Sequence, residues 1–137
     1  MRQIKFRGLR TDGKGWVYGY IDYNEHNNIA VIHSNADTTQ VIPESVEQFT
    51  GKYTKSGKEI FEGDKLQQTK DSYWVVKWSE SDCGWKCYQY VFSKDDDEEY
   101  SWKKSDTYPL GHSLIGLLTY NYEVIGNIHT QDGGQEG

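Results

Sequence analysis

Cys83 and Cys87 stand four residues apart in "CGWKC", and a thiol pair so close in sequence raises the prospect of a metal or redox site. On an extended strand, however, four residues span about 13 Å, whereas a disulfide needs Cα atoms within about 7 Å and zinc-bound sulfurs sit closer than that. The two are therefore expected to be free thiols unless Cys83 stays in a turn and curls back. His26, His33, His112 and His129 fall in separate segments, without the paired spacing of zinc-binding helices, and are read as isolated polar positions. His112 adjoins Ser113, but neighbours on an extended chain point to opposite faces, and no nucleophile-elbow pattern surrounds them. Glu62 and Asp64 lie two residues apart, roughly 6.6 Å on one strand side, a separation that the carboxylates of glycosidases also show. Their setting, "GKEIFEGDKL", supplies a plainer reading. Gly57 and Gly63 turn the chain, Asp64 accepts backbone N–H groups a residue or two further on, and Glu62 is solvated. A phosphate loop would want more glycines and a following helix, whereas Lys65-Leu66 leads on toward another strand. No catalytic residue, metal ligand set or cofactor is expected.

Two further groups could bind rather than react. Asp95, Asp96, Asp97, Glu98 and Glu99 form an acidic run that could imitate nucleic-acid phosphates, although such runs more often solvate a loop. Trp16, Tyr18 and Tyr20 alternate along one strand, and with Trp74, Trp78 and Trp85 they could stack bases, hold a peptide or form a subunit interface. The commonest fate of such rings is the core. Base stacking additionally needs a positive groove, which has to be assembled locally in a chain whose formal charge is −6.

The elements that would hold these residues are strands. "IKFRGL" alternates apolar and charged residues, "TDGKG" supplies a turn, and "WVYGYIDY" (16–23) returns with Val17 and Ile21 opposite the ring stripe. "IAVIH" (29–33) completes a meander, and "TTQVI" stops at Pro43, which could begin one helical turn. A hairpin centred on Ser56-Gly57 would pair Tyr53 with Ile60 and Lys52 with Phe61. "YWVVKW" (73–78) and "WKCYQYVF" (85–92) read as a second hairpin at the centre of a sheet, followed by a solvated loop over "SKDDDEEYSWKKSD". "PLGHSLIGLLTY" fits a short helix or a strand, and "YEVIGNIHT" is a last strand before the polar tail 131–137, expected to be disordered.

With 137 residues, 20 of them Phe, Trp or Tyr, the chain can form one compact β domain over 1–130, divisible near 49/50, in which large rings supply much of the buried area. The predicted fold is all-β and mainly antiparallel, of SH3-like barrel or meander sheets with at most one or two short helical segments. The charged opening "MRQIKFRGLR" is unlike a secretory signal, "LIGLL" is far shorter than the ~20 apolar residues of a spanning helix, and two cysteines fit a reducing compartment. A cytoplasmic protein without a membrane partner is expected.

Three blocks, "MRQIKFRG", "VEQFTGKYTKSGKEIFEGDKL" and "YEVIGNIH", occur in an order and spacing that cover nearly the whole chain. Together they resemble the YopX family of phage and prophage proteins. The departures are local: Thr54 stands where the family often has Asp, Ser56 where Asn is common, and Lys65 where an apolar residue is usual. The resemblance implies a mostly β protein of temperate phages or integrated elements, and it brings no biochemical activity with it. The expected function is that of a non-catalytic accessory or regulatory module whose partner is another protein, with self-association open. The alternatives are a nucleic-acid-associated module using an exposed aromatic face and a DNA mimic acting through the acidic loop.

Overall fold

The computed structural model describes residues 4–94 and 96–129. Asp95 and the tail expected to be disordered lie outside these residues. The chain divides after Gly51 into two compact units, 1–51 and 52–137. Both are built from antiparallel strands, so the all-β expectation holds. Among the described residues no helix is long and apolar enough to cross a membrane.

In the first unit, strands β1 (Phe6–Leu9), β2 (Trp16–Asn24) and β3 (Ile29–Ser34) form the expected meander, β4 (Asp37–Val41) extends it, and β5 (Glu47–Tyr53) pairs on the free edge of β1. Period-two alternation turns Val17 and Ile21 inward, where they pack with Phe6 and Val46 around the buried Ala30, Ile32 and Val41. After β4, Pro43 opens a single 3-10 turn, Pro43–Ser45, its fixed φ suiting the first helical position. Arg7, on the charged side of β1, is not left to solvent. It is buried, donating from Nε to Glu47 Oε1 at 3.0 Å while its guanidinium covers the Trp16 ring at 4.2 Å.

Strand β5 runs on past Gly51, and β6 (Glu59–Phe61) lies beside it. The turn between them differs from the expected two-residue one. Thr54 N–H donates to Lys58 C=O at 2.9 Å, so three residues make the turn and Thr54 stands opposite Lys58. This moves the expected pairing of Tyr53 with Ile60 by one residue. The rest of the second unit is a sheet in the order β10-β9-β8-β7-β12, comprising β7 (Asp64–Gln67), β8 (Ser72–Ser79), β9 (Gly84–Lys94), β10 (Tyr100–Lys104) and β12 (Glu123–Asn127). The segment "YSWKK" is thus a strand, not part of a solvated loop. It pairs with Tyr90–Lys94 of β9, its rings at 100 and 102 alternating with the polar Ser101 and Lys103, a pattern that the flanking charges disguise.

The ambiguous segment around residue 114 is both of the things it could be. Strand β11 (His112–Ser113) pairs with β9, and α1 (Leu114–Leu117) follows at once, with Ser113 Oγ accepting Gly116 N–H at the helix start. Leu114 and Leu117 close the core over Ile60, Leu66, Trp74, Val76 and Cys87. A bulge between Val124 and Gly126 interrupts the pairing of β12 with β7.

Candidate functional site

The Glu-Gly-Asp corner serves the backbone. Gly57 and Gly63 have φ of 92° and 87°, a region that side chains disfavour. Glu62 and Gly63 form the turn between β6 and β7, so Glu62 and Asp64 do not share a strand side as a carboxylate pair would. Asp64 is 1% exposed. Its Oδ2 accepts Phe61 N–H at 2.8 Å, backward along the chain, and its Oδ1 accepts Asn127 Nδ2–H at 3.2 Å. Asn127 Oδ1 in turn accepts His129 N–H at 2.8 Å. Ser56 Oγ donates to Glu123 Oε2 at 2.9 Å, tying the same two segments together a second time. The blocks "SGKEIFEGDKL" and "YEVIGNIH" therefore meet as a polar clasp, and Arg7 and Glu47 join "IKFRG" to "VEQF" in the same manner.

The remaining reactive types are dispersed. Cys83 lies exposed in the β8–β9 turn and Cys87 is fully buried on β9; both are free thiols. Ser113 is engaged as a helix cap, and the His112 ring lies 5.9 Å from that of Trp74. His26 and His33 are exposed in the first unit, and His33 contacts Thr38 at 3.0 Å. Among the described residues no three His, Cys, Asp or Glu side chains are placed to hold a metal ion. Burial pushes the Cys87 thiol from 9.0 up to about 12. It remains neutral in the folded chain while its unfolded counterpart ionises near 9.0, so its contribution to stability is full below that pH and is lost as the pH rises toward about 12. A thiol reagent at neutral pH is accordingly expected to modify Cys83 rapidly and Cys87 only after unfolding. Equal rates at the two would contradict the burial.

The rings singled out in the sequence separate into different environments. Trp74 is 4% exposed and belongs to the core. Trp16 is half-buried beneath Arg7, whereas Tyr18 and Tyr20 are exposed, Tyr20 at 71%. Trp78 and Trp85 meet edge to face at 5.1 Å near the end of the β8–β9 hairpin.

A larger ring assembly covers the outer face of the second sheet. Cross-strand registers place Tyr73, Val75 and Lys77 of β8 beside Tyr90, Tyr88 and Lys86 of β9, while Tyr100, Trp102 and Lys104 of β10 stand beside Lys94, Phe92 and Tyr90. Successive residues of a strand alternate faces, so these side chains share the face opposite Trp74, Val76 and Cys87. Tyr73 stacks on Tyr90 at 5.4 Å and Phe92 on Tyr100 at 5.3 Å, while Trp102 joins the pairs, 4.8 Å from Tyr73 and 5.2 Å from Phe92. Three ammonium groups sit over ring faces: Lys65 over Tyr73, Lys94 over Tyr100 and Lys104 over Tyr88, the last at 5.0 Å. Lys65 reconciles its charge with its burial in this way.

At one end this face deepens into a cleft of about 520 Å³, its lining including Lys77, Lys86, Lys104, Trp78, Tyr88 and Tyr90. Pro109 and Leu110 add to the lining from the 105–111 excursion. Close packing seats that excursion: a Cβ at Gly111 would lie 2.8 Å from Tyr88 Cε1. Among the described residues Asp82 is the one acid in the lining, and Lys86 Nζ binds it at 2.8 Å. That bond and the attraction of the pair hold the Asp82 carboxyl below its ordinary value and the Lys86 amine above its own. At the opposite end, the exposed Asp96, Asp97, Glu98 and Glu99 connect β9 to β10. The sequence reading missed this face because it took residues 100–104 for loop; rings at 100 and 102 followed by lysine at 104 were the signal available.

Comparison with curated proteins yields no match. The family model described as YopX protein matches residues 5–132. That span takes in the blocks that form both polar clasps, and the chain belongs to the YopX protein family.

Proposed function

We propose that this protein is a non-catalytic binding module, carried by a temperate phage or integrated prophage as an accessory or regulatory factor in the host cytoplasm, and that it presents the outer face of β8, β9 and β10 to an anionic partner. Membership of the YopX family supports the setting. The observation that carries the binding role is the gathering of Lys77, Lys86, Lys94 and Lys104 on one ring-covered face of a protein whose net charge is −6. A uniformly acidic surface would repel polyanions, whereas a local cationic patch with low-dielectric walls attracts them. The protein partner expected from the sequence would meet this face with an acidic segment.

Retention on immobilised heparin at low ionic strength tests the reading. The wild-type protein is expected to bind and to elute with added salt, and the double variant Lys77→Glu/Lys104→Glu, still folded, is expected to flow through. Flow-through of the wild type would refute an anion-binding face.

A further inference from the structure

We propose that the occupant of this face is a single-stranded nucleic acid, with phosphates at Lys77 and Lys104 in the cleft and bases against the rings that extend from it along β9 and β10. The inference rests on the binding role proposed above and names its ligand class.

Two features of the face select this ligand. The first is charge: Lys86 and Asp82 of the cleft lining pair with each other, which leaves the positive charge of Lys77 and Lys104. That balance suits phosphates, whose neutralisation releases counterions. The second is the run of aromatic surface. An acidic peptide or a sulfated polysaccharide would be served by the lysines alone. Tyr90, Tyr73, Trp102, Phe92 and Tyr100 instead form a continuous array, in which Phe92 and Tyr100 are 42% and 57% exposed and Trp102 lies at the centre. Partly exposed rings set along a sheet beside cations suit unpaired bases, and stacking of this kind tolerates any sequence. A duplex would keep its bases in their own stack and offer only phosphate.

The array reaches beyond the cleft, along β9 from Tyr88 and Tyr90 to Phe92, so it suits several linked nucleotides better than one. The acidic connection from Asp96 to Glu99 lies where β9 gives way to β10. Phosphates are repelled there, so the strand would enter from the lysine-lined cleft and its backbone would stop short of that end.

The test measures tryptophan fluorescence and anisotropy with three probes of matched length and charge: an oligothymidylate, an abasic oligodeoxynucleotide and poly-glutamate. Oligothymidylate is expected to quench fluorescence and to bind at least about ten-fold more tightly than the abasic strand, the value of roughly one stacked base. Trp102→Ala is expected to abolish that preference while leaving retention on heparin intact, and Lys77→Gln/Lys104→Gln to weaken both strands alike. Thermal melts of each variant verify that it is folded. Should the abasic strand or poly-glutamate bind as well as oligothymidylate, base recognition is overturned while the anion-binding role stands. Should no probe bind and heparin fail as well, both readings fall.

Discussion

Trp74→Ala is expected to destabilise the protein by about 3–5 kcal/mol, the range for truncating a large buried ring. The ring is 4% exposed and packs in the cluster of Ile60, Leu66, Val76, Cys87, Leu114 and Leu117, and the Tyr108 ring meets it at 5.3 Å. Truncation would empty the space between the sheet and α1 and leave Tyr108 and His112 without the surface that seats them. Because a domain's net stability is typically 5–15 kcal/mol, a loss of this size takes a large fraction of it. Urea denaturation followed by circular dichroism reads the change as a lower midpoint at unchanged slope. Trp78→Ala is the internal control: that ring is 42% exposed, so its removal is expected to cost much less. If the two variants lost similar amounts, the division of the tryptophans between core and surface would be wrong.

Replacement of Asp64 ranks next, with a loss of about 3 kcal/mol for Asp64→Ala. The carboxylate accepts from Phe61 N–H and from the Asn127 amide, both in a buried setting, and alanine offers neither donor an acceptor. Asparagine discriminates between a general need for polarity and the specific need for two acceptors. Its single carbonyl oxygen can take the place of only one of the two carboxylate oxygens, while its amide would face the other donor. Asn127 cannot relieve that conflict by turning over, because its own oxygen is held by His129 N–H. Asp64→Asn is therefore expected to lose about half as much as Asp64→Ala, measured by the same denaturation. A fully stable Asp64→Ala variant would show that the corner is held by the turn geometry alone.

The parts that could be read from residue types are those governed by local rules. Alternation along "WVYGYIDY" and "IAVIH" placed β2 and β3, and the stop at Pro43 was visible because a missing N–H is a property of one residue. The glycines of the Glu-Gly-Asp corner were legible for the same reason. The partners of Asp64 were not: Asn127 lies 63 residues away, and nothing in either neighbourhood states that they meet. The burial of Arg7 was hidden likewise, since its charge argues for solvent until Glu47 is brought alongside across 40 residues. The ring-covered face was half legible. "WKCYQYVF" announced its strand, but which rings point outward depends on the register with β8 and β10, and β10 was obscured by the acids beside it.

Strand β12 pairs with one side of β7 and is the last strand among the described residues. During synthesis, the corner at Asp64 emerges long before Asn127, so the carboxylate waits for its amide partner while β7 has only β8 to bond. An unpaired strand margin of that kind invites pairing with other chains. A nascent or prematurely terminated polypeptide ending near residue 120 would keep that margin open, making it a substrate for chaperones and proteases, and the final residues of the match would act as the closure that ends this vulnerable interval.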